Sequence, residues 1–266
     1  MYSFEYQRPA SSAAAAAAAT GDARFLAGGQ SLVQAMKLRL SSSERLVDLG
    51  GIADLSGIRV DGGALIIGAT TKHAAVAASA DVRKTIPALA ELAGGIGDQM
   101  VRNMGTIGGS IANADPAACY PAAVLALGAT VHTNQRQISG DSFFTGVYAT
   151  ALQPGELITA VSFPAPTRAA YIKFKQPASR FALVGVFVSQ GVGGVRVAVT
   201  GAKSSVFRAT DIEAALNASF TPAAAKAVKV SADGINADLH GTAEYRAAMI
   251  SVMASRAVAA ALARQG

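Results

Sequence analysis

The sequence predicts an α+β protein with a larger N-terminal domain, residues 1–165, and a small C-terminal domain, residues 166–266. Three observations lead to this prediction. The chain has 266 residues, of which 51% are hydrophobic and 15% charged, so it can bury one or two packed cores. Short apolar strands alternate with Ala-rich helical stretches up to residue 164. Three predicted strands and then three predicted helices follow Pro164-Ala165-Pro166, which is the candidate domain boundary.

Residues 1–57 are predicted to form the first α/β subdomain. Residues 13–19 are all alanine, which favours a helix because alanine loses no side-chain entropy on ordering. The apolar stretch 24–27 predicts a strand that ends in the turn Gly28-Gly29-Gln30-Ser31 and leads into a helix over 32–38. A second strand is predicted over 45–49, before Gly50-Gly51.

Residues 58–165 are predicted to form the second α/β subdomain. It begins with a β-hairpin that ends at residue 68 and turns at Asp61-Gly62-Gly63. Ala-rich helices follow over 70–95, and Pro87 is placed to open the first turn of one of them. The remaining features are a glycine-bearing turn over 101–110, an apolar run over 122–127, strands over 130–133 and 157–163, and a loop over 143–146.

The C-terminal domain is predicted to be a three-stranded sheet covered by helices. The strands are expected over 170–175, 182–190 and 195–200, and the helices over 208–218, 222–233 and 244–264.

Charge and cysteine content exclude several classes of protein. The 23 Lys and Arg exceed the 17 Asp and Glu by six, but the basic residues are scattered, so no nucleic-acid surface is expected. The single Cys119 can form no internal disulfide and cannot hold an iron–sulfur cluster, which ordinarily takes four Cys ligands. The first residues lack the order of a signal peptide, and no uncharged apolar stretch is long enough for a membrane span. A cytoplasmic location is therefore expected.

Familiar catalytic and nucleotide-binding motifs are missing. There is no Gly-Lys of a P-loop, no CxxC and no HExxH, and residues 95–100 break the dinucleotide fingerprint at its last glycine. His73, His132 and His240 are far apart, which favours structural or surface histidines over a metal site or a triad.

Two paired-glycine turns, residues 27–31 and 106–110, remain as candidates for a ligand site. Glycines allow consecutive backbone N–H groups to point at an anion and approach it closely. The two turns could share one diphosphate. Gly-Gly turns are also common at strand ends, so each turn alone could be purely structural.

Several strings, in order along nearly the whole chain, resemble those of the FAD-binding medium subunits of the xanthine dehydrogenase and carbon monoxide dehydrogenase family. They are Leu26-Ala27-Gly28-Gly29-Gln30-Ser31-Leu32, Met36-Lys37-Leu38-Arg39-Leu40, Leu46-Val47-Asp48-Leu49, Ile66-Ile67-Gly68-Ala69, Val101-Arg102-Asn103, Thr106-Ile107-Gly108-Gly109-Ser110, Ala114-Asp115-Pro116-Ala117-Ala118, Phe174-Lys175-Gln176 and Asp238-Leu239-His240-Gly241-Thr242-Ala243-Glu244-Tyr245-Arg246.

The resemblance implies a vanillyl-alcohol-oxidase (PCMH)-type FAD-binding domain of two α/β subdomains, followed by the small C-terminal domain. It also implies a molybdenum hydroxylase complex, in which a large molybdopterin subunit hydroxylates the substrate. A small subunit with [2Fe–2S] clusters relays electrons, and this chain passes them through FAD to an external acceptor. A dimer of heterotrimers is implied, and no catalytic residue is expected in this chain.

Carried over by position, the resemblance implies a set of cofactor-binding residues. They are Leu26, Ala27, Gly28, Gly29, Gln30, Ser31 and Leu32 at the diphosphate; Thr106, Ile107, Gly108, Gly109 and Ser110 from the opposite subdomain; and Ile96, Asp115, Cys119, Ile158 and Lys175. Lys175 would lie near the pyrimidine edge of the flavin, where a cation stabilises the negative charge of the reduced ring. The alternative is a surface lysine on an edge strand.

Two departures from the family pattern affect the cofactor. Cys119 stands where the family commonly has an Asp that binds the sugar chain, and a thiol is a weaker hydrogen-bonding group. The first glycine loop carries Gln30 and no histidine to tether the cofactor, so dissociable FAD is expected. Two alternatives remain open, a stand-alone flavin oxidase or reductase and a flavin-free assembly subunit.

Overall fold

A computed structural model describes residues 1–264 and confirms the α+β class. The first subdomain is a three-stranded parallel sheet in the order β1-β3-β2. Its elements are β1 (Glu5–Gln7), α1 (Ser12–Ala18), β2 (Ala23–Leu26), α2 (Leu32–Lys37) and β3 (Arg45–Asp48). The Ser11 side chain caps α1 by accepting a hydrogen bond from the N–H of Ala14, so the alanine run forms the predicted helix.

The second subdomain is a five-stranded antiparallel sheet with most of its helices between the second and third strands in sequence. Its first part comprises β4 (Ile58–Asp61), β5 (Ala64–Gly68), α3 (His73–Ala78), α4 (Ala80–Thr85), α5 (Pro87–Gly94), α6 (Gln99–Met104), α7 (Ile107–Asn113) and α8 (Tyr120–Ala126). Its second part comprises β6 (Thr130–Thr133), β7 (Gln137–Ser139), α9 (Gly140–Phe143), β8 (Phe144–Gly146), β9 (Ala149–Thr150) and β10 (Ile158–Pro164). The sheet order is β4-β5-β10-β6-β7, and β8 pairs with β9.

Most local predictions for this subdomain are confirmed. The hairpin turns at residues 62–63, where both glycines have positive φ, and Pro87 opens α5. The loop predicted over 143–146 is wrong, because these residues end α9 and form β8.

The C-terminal part is a four-stranded antiparallel sheet, so the predicted count of three strands is wrong. Its elements are β11 (Arg168–Lys175), β12 (Ala182–Gly191), β13 (Gly194–Thr200), β14 (Phe207–Arg208), α10 (Thr210–Ala218), α11 (Pro222–Ala227) and α12 (Ala243–Ala263). The fourth strand has two residues, too few to show a period in the sequence. The helix predicted over 222–233 ends at Ala227, before the β-branched residues Val228 and Val230.

The two parts of the chain share a hydrophobic core. Tyr171 and Phe187 of the C-terminal sheet pack in one cluster with Leu65, Phe163 and other residues of the second subdomain. The chain passes from one sheet to the other between Pro164 and Arg168, where the domain boundary is predicted. That boundary stays a prediction.

Helix α12 is the one helix of residues 1–264 that is long and apolar enough, by length and composition, to cross a membrane. Half of the residues in its most apolar 18-residue stretch are buried within the protein. It packs on the C-terminal sheet through residues such as Ile250 and Val258, both fully buried.

Candidate cofactor site

A cavity of about 440 Å³ lies between the two subdomains and the start of the C-terminal sheet. Its volume is within the range of small-molecule and cofactor sites. Fifteen of the predicted site residues line it, namely Leu26, Ala27, Gly28, Gly29, Gln30, Ser31, Leu32, Ile96, Thr106, Gly108, Gly109, Ser110, Asp115, Cys119 and Ile158. Ile107 and Lys175 do not line it.

The first glycine turn offers backbone N–H groups to this cavity. The chain leaves β2 at Leu26, whose carbonyl accepts a hydrogen bond from the N–H of Leu49, and then turns at Gly29, which has φ +68°. The N–H groups of residues 28–32 donate no hydrogen bond to any other described residue. Free, clustered N–H groups in a turn form a concave site for an anion such as a phosphate.

Gly28 has a second reason to be glycine. A Cβ at this position would overlap the carbonyl oxygen of Met104, and it would lie 2.7 Å from Cα of Gly105. The first turn therefore packs directly against the end of α6 in the other subdomain. The absence of a side chain on Gly28 is what allows this close contact.

The glycine-bearing turn predicted over 101–110 is wrong as a turn, because its residues end α6 and form the N-cap and first turn of α7. The second glycine segment, residues 106–110, uses its N–H groups for the fold. The N–H of Ile107 donates to the Thr71 carbonyl, and that of Gly108 donates to the Ala69 carbonyl at 2.8 Å. The N–H of Gly109 donates to Oγ1 of Thr106, which caps α7. These three N–H groups are therefore not free to bind an anion.

Ile107 is a core residue and no part of the cavity wall. It is fully buried in the cluster that contains Leu65 and Phe163. A helix that begins at Ile107 turns this side chain inward, while Thr106, Gly109 and Ser110 line the cavity.

The lysine that lines the cavity is Lys173, whereas the predicted residue Lys175 does not line it. The Lys173 ammonium donates to the carbonyls of Gly95 and Arg180, each at 2.8 Å, and lies 3.4 Å from Sγ of Cys119. Residues two apart on a regular strand share one face, but the pairing of β11 with β12 shifts between Phe174 and Lys175. This irregularity accompanies the exposure of Lys175 to solvent.

A second cation, Arg180, comes from the turn between β11 and β12. Its guanidinium donates to the Gly97 carbonyl at 3.3 Å, and its backbone has φ +62°. The N–H of Arg180 donates to the Gln176 carbonyl, which closes the turn over the cavity. No sequence signal pointed to this residue.

The loop from Ala114 to Cys119 forms another wall. Oδ1 of Asp115 accepts a hydrogen bond from the N–H of Ala117 at 2.8 Å. Oγ1 of Thr200, in the C-terminal sheet, lies 2.6 and 2.7 Å from the carbonyl oxygens of Pro116 and Ala118, which share its single proton. The C-terminal sheet thus holds the loop that carries Asp115 and Cys119.

Glu156 reaches the cavity wall but is already paired. Its carboxylate accepts hydrogen bonds from Nε of Arg136, Oγ1 of Thr133 and the N–H of Gln153. The Arg136 hydrogen bond, followed by those of Gln153 and Thr133, lowers the pKa of Glu156 to about 2 although burial opposes this. The pair fixes the segment that presents Ile158 to the cavity.

His73 lines the cavity as a neutral side chain. It is 5% exposed, its Nδ1 has no hydrogen-bond partner among the described residues, and its ring lies 5.3 Å from that of Tyr120. Burial, and to a lesser extent the charge of Arg102, lower its pKa to about 4. His132 instead contacts Ser162, and His240 is exposed, in keeping with structural and surface roles.

The cavity combines free N–H groups, two cations and apolar side chains such as Ile96 and Ile158. These residues fit a ligand that has an anionic part and a flat apolar part, as FAD does. Residues 2–166 match the protein family described as the FAD binding domain in molybdopterin dehydrogenase. The chain belongs to this family. Its resemblance to the molybdenum hydroxylase medium subunits is thereby confirmed, and it is an oxidoreductase subunit of the FAD-binding type.

Relatives in this family match the chain over nearly its full length. It is 39% identical to the carbon monoxide dehydrogenase medium chain of Afipia carboxidovorans, with 98% of each chain covered. It is 33% identical to the nicotine 6-hydroxylase medium subunit of Paenarthrobacter nicotinovorans, with 91% of each covered.

Solved structures agree with this membership. Carbon monoxide dehydrogenase from Hydrogenophaga pseudoflava matches with a TM-score of 0.90 and 37% identity, covering 99% of this chain and 98% of that chain. Quinoline 2-oxidoreductase from Pseudomonas putida 86 matches with a TM-score of 0.88 and 28% identity, with the same coverage.

Proposed function

We propose that this chain carries FAD in a molybdenum hydroxylase complex and passes electrons from [2Fe–2S] clusters of a partner subunit to an external acceptor. The observation that carries the proposal is the cavity, which is lined both by the free N–H groups of residues 28–32 and by the cation Lys173. The chain that forms it belongs to a family of FAD-binding domains. FAD supplies a group that accepts and releases electrons, which the amino-acid side chains here do not.

The roles of the lining residues follow from their chemistry. The N–H groups of residues 28–32 bind the diphosphate, because free donors and a turn without side chains suit an anion. Ile96 and Ile158 contact the flavin ring through apolar surface. Lys173 takes the role that the resemblance gave to Lys175, and stabilises the negative charge of the reduced ring.

Conversion of the organic or gaseous substrate takes place in the large molybdopterin subunit. Among the described residues of the cavity, the Glu156 carboxylate is held by Arg136, the Asp115 carboxylate accepts the N–H of Ala117, and His73 is kept neutral by burial. A general acid or base needs a pKa near the working pH and access to the substrate. This argues against a stand-alone oxidase with its own substrate site.

The assembly consists of this chain, the large molybdopterin subunit and the small [2Fe–2S] subunit, in a dimer of heterotrimers located in the cytoplasm. A multi-subunit assembly is consistent with the relatives that are named as subunits, such as the 6-hydroxypseudooxynicotine dehydrogenase complex subunit alpha of Paenarthrobacter nicotinovorans. FAD is bound without a covalent link.

The deciding measurement is an absorbance spectrum of the chain purified with its partners, repeated on the supernatant after acid precipitation. We expect bands at about 370 and 450 nm that move into the supernatant, as a dissociable flavin does. Metal analysis should then find molybdenum and iron in the partner subunits. A colourless protein that stays colourless when FAD is added would overturn the proposal.

A further inference from the structure

Lys173 is a cation without a carboxylate partner. Its ammonium contacts two backbone carbonyls and the Cys119 thiol, and none of the ion pairs among residues 1–264 includes it. The second cation at this end of the cavity is Arg180, which contacts the Gly97 carbonyl. The local charge is therefore positive and is not offset by an acidic side chain in contact with Lys173.

Cys119 is fixed next to this ammonium. It precedes α8, is 5% exposed and lines the cavity. A thiol contacts the ammonium here, where a carboxylate would form an ion pair with it.

Tyr171 is the second buried polar neighbour of the thiol. It precedes Lys173 by two residues on β11, is 8% exposed, and its hydroxyl has no hydrogen-bond partner among the described residues. Gly185 of β12 leaves room for this hydroxyl, because a Cβ there would overlap it. Burial, and then the neighbouring Cys119, hold the pKa of Tyr171 well above its ordinary value, so the hydroxyl adds no charge.

We propose that Cys119 is a positioning residue for the flavin chemistry. It holds the Lys173 ammonium without neutralising it, so that the full positive charge of Lys173 stabilises the reduced cofactor. The inference rests on the proposed function, because it requires that the cavity binds FAD. Two electrons from the iron–sulfur donor and one proton from solvent leave one negative charge on the flavin ring, and that charge is what Lys173 stabilises.

The test is the midpoint potential of the bound flavin in the intact complex, measured by spectroelectrochemical titration. In Cys119→Asp, an ion pair between the introduced carboxylate and Lys173 should offset the positive charge of the lysine. The equilibrium between reduced and oxidised flavin should then shift at least tenfold towards the oxidised flavin. A tenfold change lowers the potential of a two-electron couple by about 30 mV. Cys119→Ser and Cys119→Asn, which carry no charge, should keep the wild-type potential.

Lysine variants provide the matched control. Lys173→Met should lower the potential by a similar amount, and Lys173→Arg should restore it. Lys175→Met removes the same charge two residues away, on an exposed side chain outside the cavity, and should leave the potential unchanged. The FAD dissociation constant of each variant is measured alongside, so that a loss of binding is seen directly.

Two failures are distinguishable. If the wild-type complex holds no flavin, the proposed function fails. If it holds FAD but Cys119→Asp and Cys119→Asn shift the potential equally, or Lys173→Met and Lys175→Met do, the role of Cys119 is overturned. If Lys173→Met releases FAD altogether, the midpoint potentials of the three Cys119 variants decide whether Cys119 has the proposed role.

Discussion

Burial keeps His73 uncharged at the wall of the cavity, and this has a consequence for stability. The folded-state pKa of about 4 lies below the ordinary value of 6.5, so the unfolded chain binds the extra proton between these pH values. The contribution of the neutral His73 to the unfolding free energy is therefore fully present above pH 6.5, and it is lost as the pH falls from 6.5 to about 4. The shift corresponds to about 3 kcal/mol of unfolding free energy.

The measurement is urea unfolding of wild type and His73→Gln at pH 6.5 and 4.5. We expect wild type to lose 2 to 3 kcal/mol more than the variant, as an order of magnitude. Equal losses in wild type and His73→Gln would contradict a buried neutral His73.

Lys173 lines the cavity and Lys175 does not, although the two lysines are only two residues apart. Lys173 and Lys175 are chemically identical, and a regular strand would place both on one face. The shift in pairing between Phe174 and Lys175 separates them. Pairing with β12 is a property of two strands, so the short string Phe174-Lys175-Gln176 could not reveal it.

At the scale of elements, the unit β2-turn-α2 brings free N–H groups to the cavity, and Gly28 lets it pack against the end of α6. A Cβ on residue 28 would overlap backbone atoms of Met104, which cannot swing away as a flexible side chain does. The two subdomains would have to separate locally.

Gly28→Ala should therefore destabilise the protein by about 2 kcal/mol and weaken FAD binding at least tenfold. Thermal unfolding and quenching of flavin fluorescence measure the two effects. The matched control is Gly193→Ala, because a Cβ there meets nothing within 4 Å and this glycine has no positive φ. Wild-type affinity in Gly28→Ala would show that the close approach of the turns is unimportant for the site.

At the scale of the whole molecule, the C-terminal sheet holds one wall of the cavity, the loop from Ala114 to Cys119. The Thr200 hydroxyl shares its proton between two carbonyls of the loop that carries Asp115 and Cys119, and the Gly201 N–H donates to the Pro116 carbonyl at 2.7 Å. Tyr171 and Phe187 share the core of the second subdomain. We expect a single cooperative unfolding transition across both parts of the chain.

Thr200→Val keeps the shape of the side chain but removes the donor shared by the part-buried carbonyls of Pro116 and Ala118, of which only Pro116 keeps the Gly201 N–H. The variant should lose 1 to 3 kcal/mol of stability, as an order of magnitude, and bind FAD several-fold more weakly. Thr167→Val is the control, because Thr167 is exposed and its side chain makes no hydrogen bond to other described residues. Denaturant unfolding and FAD titration would show whether the two variants differ, and equal behaviour would contradict the role of Thr200.

Local patterns in the sequence predicted the α+β class and several elements. These are the hairpin with its two glycines, the helix that begins at Pro87, the alanine helix and the first glycine turn. Each depends on neighbours within a few residues, so its signal is local. Ordered resemblance along the chain identified the family. Tertiary structure alone decided that Lys173 faces the cavity, that Ile107 and the second turn's N–H groups serve the core, and that His73, Glu156 and Arg180 join the site. These outcomes depend on strand register and on contacts between distant segments, which no local pattern encodes.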